Sequence, residues 1–388
     1  MSIPATKLKA FLNSVFAIPI SIFLISCAAG CGAPGEPQPP SPLVPTAITD
    51  LGAHQEGDGV QLTLTVPGKS IAGDHLAEPP AVEIYRGSLN SKGSPDLKTF
   101  RDVYTIPGAL VSKYLSEGHL QFTDPIAPEE TKAHPGAVLA YLVRTRASQK
   151  RASADSNVVT ARAFPVAQRV ASIEARITET AVELSWPAPT TTSAGEPLSS
   201  PPTYHLYRGE LAPDSAGTAS KDLAEAKWKT KPALLASPDS HQYTDSTFDF
   251  GKNYVYTVRA VVLRENQPLE SNESSPAMVS PRDTFPPGAP GNLSAAVVPG
   301  ESAGSVQIDL SWSINLEADL AGYRVYRSEE EGTQGQLVRS ELLPTPALRD
   351  NSVQAGHRYW YRVIAVDRAG NESSPSASLV VDAAQPKE

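Results

Sequence analysis

The chain has 388 residues, which is enough for two to four domains of about 100–200 residues each. Hydrophobic residues make up 40% of the chain and charged residues 19%, so packed cores are expected and a wholly disordered chain is excluded. The formal net charge of −9 argues against a nucleic-acid-binding protein. The 2 Cys both precede residue 32, which excludes a disulfide framework and a Cys-based zinc site in the body of the chain.

Residues 1–30 predict a secretory signal segment. Lys7 and Lys9 form a short positive region, and the apolar run 15–25 follows it. At about 1.5 Å per residue this run is too short to cross the ~30 Å hydrocarbon core of a bilayer. We therefore expect export and not a stable transmembrane helix.

The end of this segment resembles the lipobox of bacterial lipoproteins. Residues 24–27 (Leu-Ile-Ser-Cys) fit the strict pattern, which favours Cys27, and residues 28–31 (Ala-Ala-Gly-Cys) fit a looser one, which keeps Cys31 as the alternative. The resemblance implies that one of the two is lipid-modified and anchors the chain, since several acyl chains, palmitate among them, hold a protein stably on a membrane. Neither Cys is followed by Asp, which favours the outer over the inner membrane. The other interpretation is an ordinary secretory signal cut near Ala29, which would leave a soluble protein.

A proline-rich segment at residues 31–45 predicts a tether. Residues 32–45 read GAPGEPQPPSPLVP and hold six Pro in fourteen residues. Proline fixes φ and lacks an N–H, so the segment cannot form a regular helix or an interior strand. We expect a polyproline spacer of up to about 40 Å at ~3.1 Å per residue.

Beyond the tether the chain repeats itself three times. Each copy contains a strand that ends in a Tyr-Arg pair, a later strand of alternating aromatic and aliphatic residues, and an early strand that ends in Trp in two of the copies. Apolar and polar residues alternate with period two in these segments, which is typical of half-buried strands. The three sets are residues 62–66, 81–86 and 140–144; residues 182–186, 203–208 and 253–260; and residues 308–312, 322–327 and 358–365.

The order of these segments resembles that of fibronectin type III domains. We therefore predict an all-β fold of three tandem immunoglobulin-like (fibronectin type III) β-sandwiches, with domain 1 at residues 46–165, domain 2 at 166–282, domain 3 at 283–383 and a tail at 384–388. The resemblance implies that Trp186 and Trp312 are core residues between the sheets, and that Tyr254 and Tyr359 occupy the tyrosine-corner position. Domain 1 departs from the family pattern, with Val66 and Leu139 at the corresponding positions, and we expect it to be the least stable.

The sequence offers no cluster of catalytic residues. The letters Gly-x-Ser-x-Gly occur at residues 300–304, but this Gly-rich stretch is interpreted as a hairpin turn and not as a strand-to-helix elbow. No phosphate-binding loop or EF-hand pattern occurs, and no two of the seven His have metal-ligand spacing. We therefore expect a protein that is not an enzyme and that has no catalytic residue, metal or cofactor. A hydrolase remains an alternative only if scattered residues converge in space.

Two aromatic features are candidates for binding. Trp228 lies among Lys227, Lys229 and Lys231, where it could stack on a sugar or a base; the structural interpretation is an edge strand whose Lys residues prevent aggregation while Trp228 points inward.

The second candidate is the outward face of domain 3, where alternation places Tyr326, Trp360 and Arg324 and allows a cation–π pair between Trp360 and Arg324. Because an outward Tyr recurs in all three copies, at Tyr85, Tyr207 and Tyr326, the structural interpretation is a general cross-strand pairing role.

Taken together, these features predict a non-catalytic, lipid-anchored protein of the bacterial cell envelope that serves as an interaction, adhesion or scaffold module. Its expected partners are the membrane, through the lipid anchor, and a protein or glycan of the envelope, without nucleic acid. The alternative is a polysaccharide-binding protein or an accessory to an extracellular enzyme.

The core assignment of Trp312 gives a first prediction. Replacement of Trp312 by Ala should lower the free energy of unfolding of domain 3 by about 3–5 kcal/mol, because the cavity left behind cannot fully collapse. Urea or thermal unfolding of the variant measures this loss, and a loss below about 1 kcal/mol would contradict the assignment.

Overall fold

A computed structural model describes residues 43–213 and 226–384 of the chain. The predicted signal segment, both candidate lipidation sites (Cys27 and Cys31), most of the predicted tether and residues 385–388 lie outside the described residues. Within the described residues, no helix is both long and apolar enough to span a bilayer.

Domain 1 consists of two antiparallel sheets. One has the strand order β1-β2-β6-β5, and the other has the order β4-β3-β7-β8, with β9 also paired to β7. A 3₁₀ helix, Gly108–Tyr114, and one helix, α1 (Pro128–Ala133), flank β6. The strands are β1 (Gly52–Glu56), β2 (Gly59–Leu64), β3 (Ala81–Gly87), β4 (Arg101–Ile106), β5 (Leu115–Ser116), β6 (His119–Pro125), β7 (Ala137–Ser148), β8 (Arg151–Ala152) and β9 (Val159–Ala163).

Domain 2 repeats this arrangement with a smaller first sheet. The strand orders are β10-β11-β14 and β13-β12-β15-β16, with β17 also paired to β15. The strands are β10 (Glu174–Ile177), β11 (Val182–Ser185), β12 (Thr203–Leu211), β13 (Trp228–Ala236), β14 (Gln242–Asp245), β15 (Asn253–Arg264), β16 (Gln267–Glu270) and β17 (Ala277–Val279).

Domain 3 has the same two layers, with the orders β18-β19-β22 and β21-β20-β23-β24. The shared strand order and the antiparallel register confirm the prediction of three tandem fibronectin type III-like β-sandwiches. The strands are β18 (Ser294–Pro299), β19 (Val306–Ser311), β20 (Leu320–Ser328), β21 (Gln336–Leu337), β22 (Ala347–Asp350), β23 (Arg358–Asp367) and β24 (Leu379–Asp382).

The ordered pairing of domain 1 begins inside the segment that the sequence assigned to the tether. The Val44 carbonyl accepts a hydrogen bond from Ile71 N–H at 2.9 Å, and Pro45 forms an isolated bridge with Ser70. The last residues of the proline-rich segment are therefore part of the first sandwich.

Each sandwich has its own apolar core between the sheets. Trp186 and Trp312 lie in the cores of domains 2 and 3, where they are 3% and 6% exposed. Each contacts a Tyr edge-on, Tyr204 and Tyr323 respectively, with ring centroids 5.3 Å apart. In domain 1, which has no core Trp, Val66 is partly buried against a core of aliphatic side chains.

The two predicted corner tyrosines each bond a nearby backbone group. Asp249 N–H donates to Tyr254 Oη at 3.0 Å, and Gln354 N–H donates to Tyr359 Oη at 3.0 Å. These bonds satisfy backbone donors at the turn that precedes β15 or β23. In domain 1, Leu139 packs against the core at this position and offers no hydroxyl.

A buried Arg–Asp–Tyr triad, which the sequence did not reveal, recurs in all three domains. In domain 3, Asp350 Oδ2 accepts hydrogen bonds from Arg327 at 2.8 Å and from Tyr361 Oη at 2.9 Å. Asp350 is only 1% exposed, so the two donors balance a carboxylate that the fold removes from water. The corresponding sets are Arg208, Asp245 and Tyr256 in domain 2 and Arg86, Asp124 and Tyr141 in domain 1.

A second repeated feature is a pair of serines that continues the pairing of the long central strand. Ser376 N–H donates to the Val363 carbonyl at 2.8 Å, and Ser376 Oγ accepts from Val363 N–H at 3.0 Å. Ser373 pairs with Ala365 in the same way. A hydroxyl thus replaces a backbone carbonyl where the chain leaves regular strand geometry. The equivalents are Ser153 and Ser156 in domain 1 and Ser271 and Ser274 in domain 2.

The triad predicts how the stability of domain 3 depends on pH. Burial opposes ionisation of Asp350, but hydrogen bonds from Ser352 and Tyr361 and the charge of Arg327 outweigh it and hold the Asp350 pKa below its usual range. A carboxyl whose folded pKa lies below its unfolded value stabilises the fold above the unfolded pKa, and this contribution is lost as the pH falls through the folded pKa.

Asp350→Asn should therefore lower the free energy of unfolding near neutral pH by about 3 kcal/mol, because Arg327 loses its buried partner. The difference between wild type and variant should shrink as the pH falls below about 4, the pKa of Asp in the unfolded chain, and towards the lower pKa of the folded protein. Urea unfolding over this pH range measures both effects, with the exposed Asp239→Asn as control. A constant difference from neutral to acid pH would contradict the assignment.

Candidate functional site

The outer face of the larger sheet of domain 3 brings two of the predicted binding residues together. Strand register places Leu337, Tyr326 and Arg362 in one cross-strand row, and Ser328, Trp360 and Val380 in the next. Tyr326 and Trp360 are therefore diagonal neighbours on adjacent strands, at roughly 7–8 Å. We call these six residues the domain 3 strip.

The strip combines an apolar centre with a polar border. Tyr326 and Trp360 are half-buried, whereas Leu337 and Val380 at the two sides are 37% and 52% exposed. Beyond Trp360, Arg358 donates to Asp382 at 2.6 and 3.0 Å. This arrangement presents flat aromatic and aliphatic surface with hydrogen-bonding groups at its edge.

Arg324, the fourth predicted residue of this face, lies apart from Trp360. Trp360 is opposite Ser328, four residues further along β20, and Arg324 forms an ion pair with Glu372. The cation–π contacts found in the described residues involve other pairs. The sequence-based pairing of Arg324 with Trp360 is thus wrong, because it considered which face each residue occupies but not the distance along the strand.

Trp228 lies on the edge strand β13, but its ring covers the outer face of the sheet. A Cβ at Gly209 would lie only 2.5 Å from Cζ3 of this ring, so the absence of a side chain at Gly209 makes room for it. Trp228 also packs against the buried Leu211 and Val255. The ring belongs to a small apolar cluster on the outer face, so the inward-pointing arrangement considered from sequence is wrong.

The equivalent faces of domains 1 and 2 are occupied by charge networks around the outward Tyr. In domain 2, Arg259 lies 5.4 Å from the ring centroid of Tyr207, whose hydroxyl donates to Glu270 at 3.0 Å. Burial and the charge of Glu270 raise the pKa of Tyr207 to about 12. In domain 1, Arg144 lies 5.3 Å from the ring centroid of Tyr85. These contacts engage the Tyr side chains within the protein.

The smaller sheet of domain 2 carries a polar cleft that the sequence analysis did not single out. The cleft has a volume of about 880 Å³ and lies over the outward residues of β10, β11 and β14. Register aligns Glu174 with Ser185 and Gln242 in one row across this sheet, and Arg176 with Glu183 and Thr244 in the next. Strand alternation shows each of these residues to be outward-facing, but only the register brings them together.

Three carboxylates meet where domain 3 joins the preceding linker. Oxygen atoms of Asp283, Asp319 and Asp367 lie within 4.8 Å of one another. Asp367 is buried, and its two carboxylate oxygens accept hydrogen bonds from the Asn371 backbone N–H and side-chain amide, both at 2.8 Å. Each oxygen of the Asp367 carboxylate thus accepts a hydrogen bond from Asn371, and we assign no ion to the cluster.

Comparisons with known proteins show that parts of the chain are similar to parts of an exoglucanase and of two amylopullulanases. No protein-family model matches it. The chain is 27% identical to exoglucanase B of Cellulomonas fimi over 259 residues, which is 64% of this chain and 20% of the enzyme. Over 106 residues, 27% of this chain, it is 36% identical to the amylopullulanase of Thermoanaerobacterium saccharolyticum and 37% identical to that of Thermoanaerobacterium thermosulfurigenes. The chain covers 8% and 5% of these two enzymes, so it spans a fifth or less of the curated relatives it matches.

Two solved structures match parts of the chain. A two-domain fibronectin type III segment of chicken tenascin is 16% identical and aligns over 55% of this chain and 99% of its own, with a TM-score of 0.32. An Fn3-like protein from Clostridium thermocellum is 27% identical and aligns over 27% of this chain and 98% of its own, with a TM-score of 0.22. It is the strand order and register described above that establish the chain as a series of three fibronectin type III-like domains.

Proposed function

We propose that this chain is an exported, non-catalytic accessory protein that binds polysaccharide through the domain 3 strip. A sugar ring has apolar C–H faces and a border of hydroxyl groups. The rings of Tyr326 and Trp360 offer flat apolar surface to such faces, while Arg362 and the Arg358–Asp382 pair offer donors and acceptors to the hydroxyls. The observation that carries the proposal is this pairing of half-buried aromatic rings with a polar border.

The relatives support the same function. All three are named as enzymes of glucan or pullulan breakdown, and the matching portion is 20% or less of each enzyme. A match confined to a small part of such enzymes supports an accessory role for the shared domains, because most of each enzyme lies outside it. We extend this role to the present chain as part of the proposal.

A second candidate function is display or adhesion at the bacterial cell envelope, with the three sandwiches as a scaffold. It is favoured by the lipobox-like residues before the proline-rich tether. The two functions are compatible, since a lipid-anchored chain can hold polysaccharide near the cell, but they differ in the partner that the strip contacts.

The strip is tested by binding to glucans. Trp360→Ala and Tyr326→Ala should each weaken binding to soluble β-glucan or pullulan at least about tenfold, which corresponds to ~1.4 kcal/mol of lost contact. Affinity electrophoresis or calorimetry measures the change. Tyr104→Ala, which removes an exposed ring from domain 1, is the matched control and should bind as the wild type does.

If Trp360→Ala and Tyr326→Ala both bind glucan as tightly as the wild type does, the proposed site is contradicted. A wild-type protein that binds neither α- nor β-glucans would contradict the proposed function. Circular dichroism of each variant verifies that the sandwiches stay folded.

Lipid anchoring is tested separately. Intact-mass analysis of the native protein should show a chain that begins at Cys27 and carries acyl chains, and Cys27→Ala should abolish the modification. Acylation that persists in Cys27→Ala and disappears in Cys31→Ala would assign the anchor to the second site. An unmodified chain that begins near Ala29 would contradict the lipoprotein interpretation.

A further inference from the structure

We propose that domains 1 and 2 form one rigid unit, held together by the turn between β1 and β2, which inserts into a pre-formed site on domain 2. This conformational constraint is independent of the proposed glycan site. It is carried by hydrogen bonds, ion pairs and steric fit at the first domain junction.

The turn makes three hydrogen bonds across the junction through Asp58. The Asp58 N–H donates to Asn272 Oδ1 at 3.0 Å, and Asn272 Nδ2 donates back to Asp58 Oδ2 at 2.7 Å. Ser193 Oγ donates to Asp58 Oδ1 at 2.5 Å. One residue of domain 1 is therefore bound by two separate segments of domain 2, which restrains rotation as well as separation.

Steric fit at Gly57 makes the contact specific. Gly57 has φ +55°, and a Cβ at this position would lie 2.0 Å from Asn272 Oδ1. A side chain is therefore disfavoured twice, by the backbone conformation and by the neighbouring amide. The close approach shows that the turn is fitted to domain 2.

The receiving site on domain 2 is held by that domain's own fold. Asn272 directly follows Ser271, one of the paired serines, whose N–H donates to Ala260 and whose Oγ accepts from it. Ser193 N–H donates to the Val166 carbonyl at 3.0 Å. Binding of the turn thus requires little ordering of domain 2, which favours a stable junction.

Ion pairs extend the junction beyond the turn. Arg259 of domain 2 contacts Glu56 of domain 1 at 2.5 Å and Glu270 of its own domain at 3.0 Å. Only 20% of the Arg259 side chain is exposed, so this pair is shielded from solvent. A second ion pair joins Arg162 of domain 1 to Glu265 of domain 2.

The connecting segment is fixed to domain 1 as well. Gln55 accepts a hydrogen bond from Phe164 N–H at 3.0 Å and donates to the Phe164 carbonyl at 2.7 Å. Two residues later Val166 is fully buried. A linker this short, bound on both sides, leaves few residues whose backbone angles can change.

Among the residues that the structure describes, the second junction lacks the counterparts of this arrangement. The turn of domain 2 that corresponds to Gly57 and Asp58 consists of Glu179 and Thr180, both exposed. Arg259 lies three residues after the triad residue Tyr256. In domain 3 the residue three positions after the triad residue Tyr361 is Ile364, which has no charge. The site that binds the turn is therefore a property of the first junction and not of the repeat.

Distance measurement by pulsed electron paramagnetic resonance tests the proposal. Spin labels at Leu97→Cys in domain 1 and Thr244→Cys in domain 2, both exposed positions, report the relative placement of the domains in the full chain with Cys27 and Cys31 replaced by Ser. We expect one narrow distance distribution. Combined Asp58→Ala and Asn272→Ala substitutions should widen it roughly twofold or more, because the turn no longer binds.

Two further variants make the result decisive. Gly57→Ala leaves every charge in place but blocks insertion of the turn, and it should widen the distribution as well. Asp309→Ala with Arg349→Ala removes a bidentate ion pair within domain 3 and should leave the distribution narrow. A broad distribution in the wild type, or a narrow one that survives both junction variants, would overturn the proposal.

Discussion

Each of the three domains depends on the hydrogen bonds of one buried Asp carboxylate, which lies near the end of β6, β14 or β22. Asp124, Asp245 and Asp350 each bind an Arg and a Tyr from the opposite sheet, so one side chain ties the two layers together. In a chain whose body has no cysteine, this polar contact supplements an otherwise apolar core. It also fixes the central strand, whose outer side carries the residues available for binding.

Small sequence differences decide what the outer face of each domain can do. In domain 2 the outward Tyr207 is engaged by Arg259 and Glu270, and Arg259 also contacts domain 1. In domain 3, Ile364 replaces that Arg and Arg324 pairs with Glu372 instead. On the outer faces of domains 1 and 2, the outward Tyr side chains are therefore engaged in contacts within the protein. In domain 3, the domain 3 strip faces the solvent.

Alternation in the sequence predicted the strands and the face on which each residue lies, and the resemblance of the repeated segments to fibronectin type III domains predicted the fold. It could not predict register, so Arg324 was wrongly paired with Trp360, and the cleft over Gln242 and Glu183 was missed. The triad was missed because its Asp lies in a short strand with no motif. The fit of Gly57 to domain 2 depends on tertiary structure alone.

The central claim, that Trp360 contacts polysaccharide, is tested most directly by nuclear magnetic resonance of the indole N–H groups. The chain has 4 Trp, so four indole signals are expected from the folded protein. On addition of a glucan oligosaccharide, the signal of Trp360 should shift while those of Trp186 and Trp312 in the cores and of Trp228 over Gly209 stay in place. A shift confined to Trp228, or saturable binding that moves none of the four signals, would contradict the account.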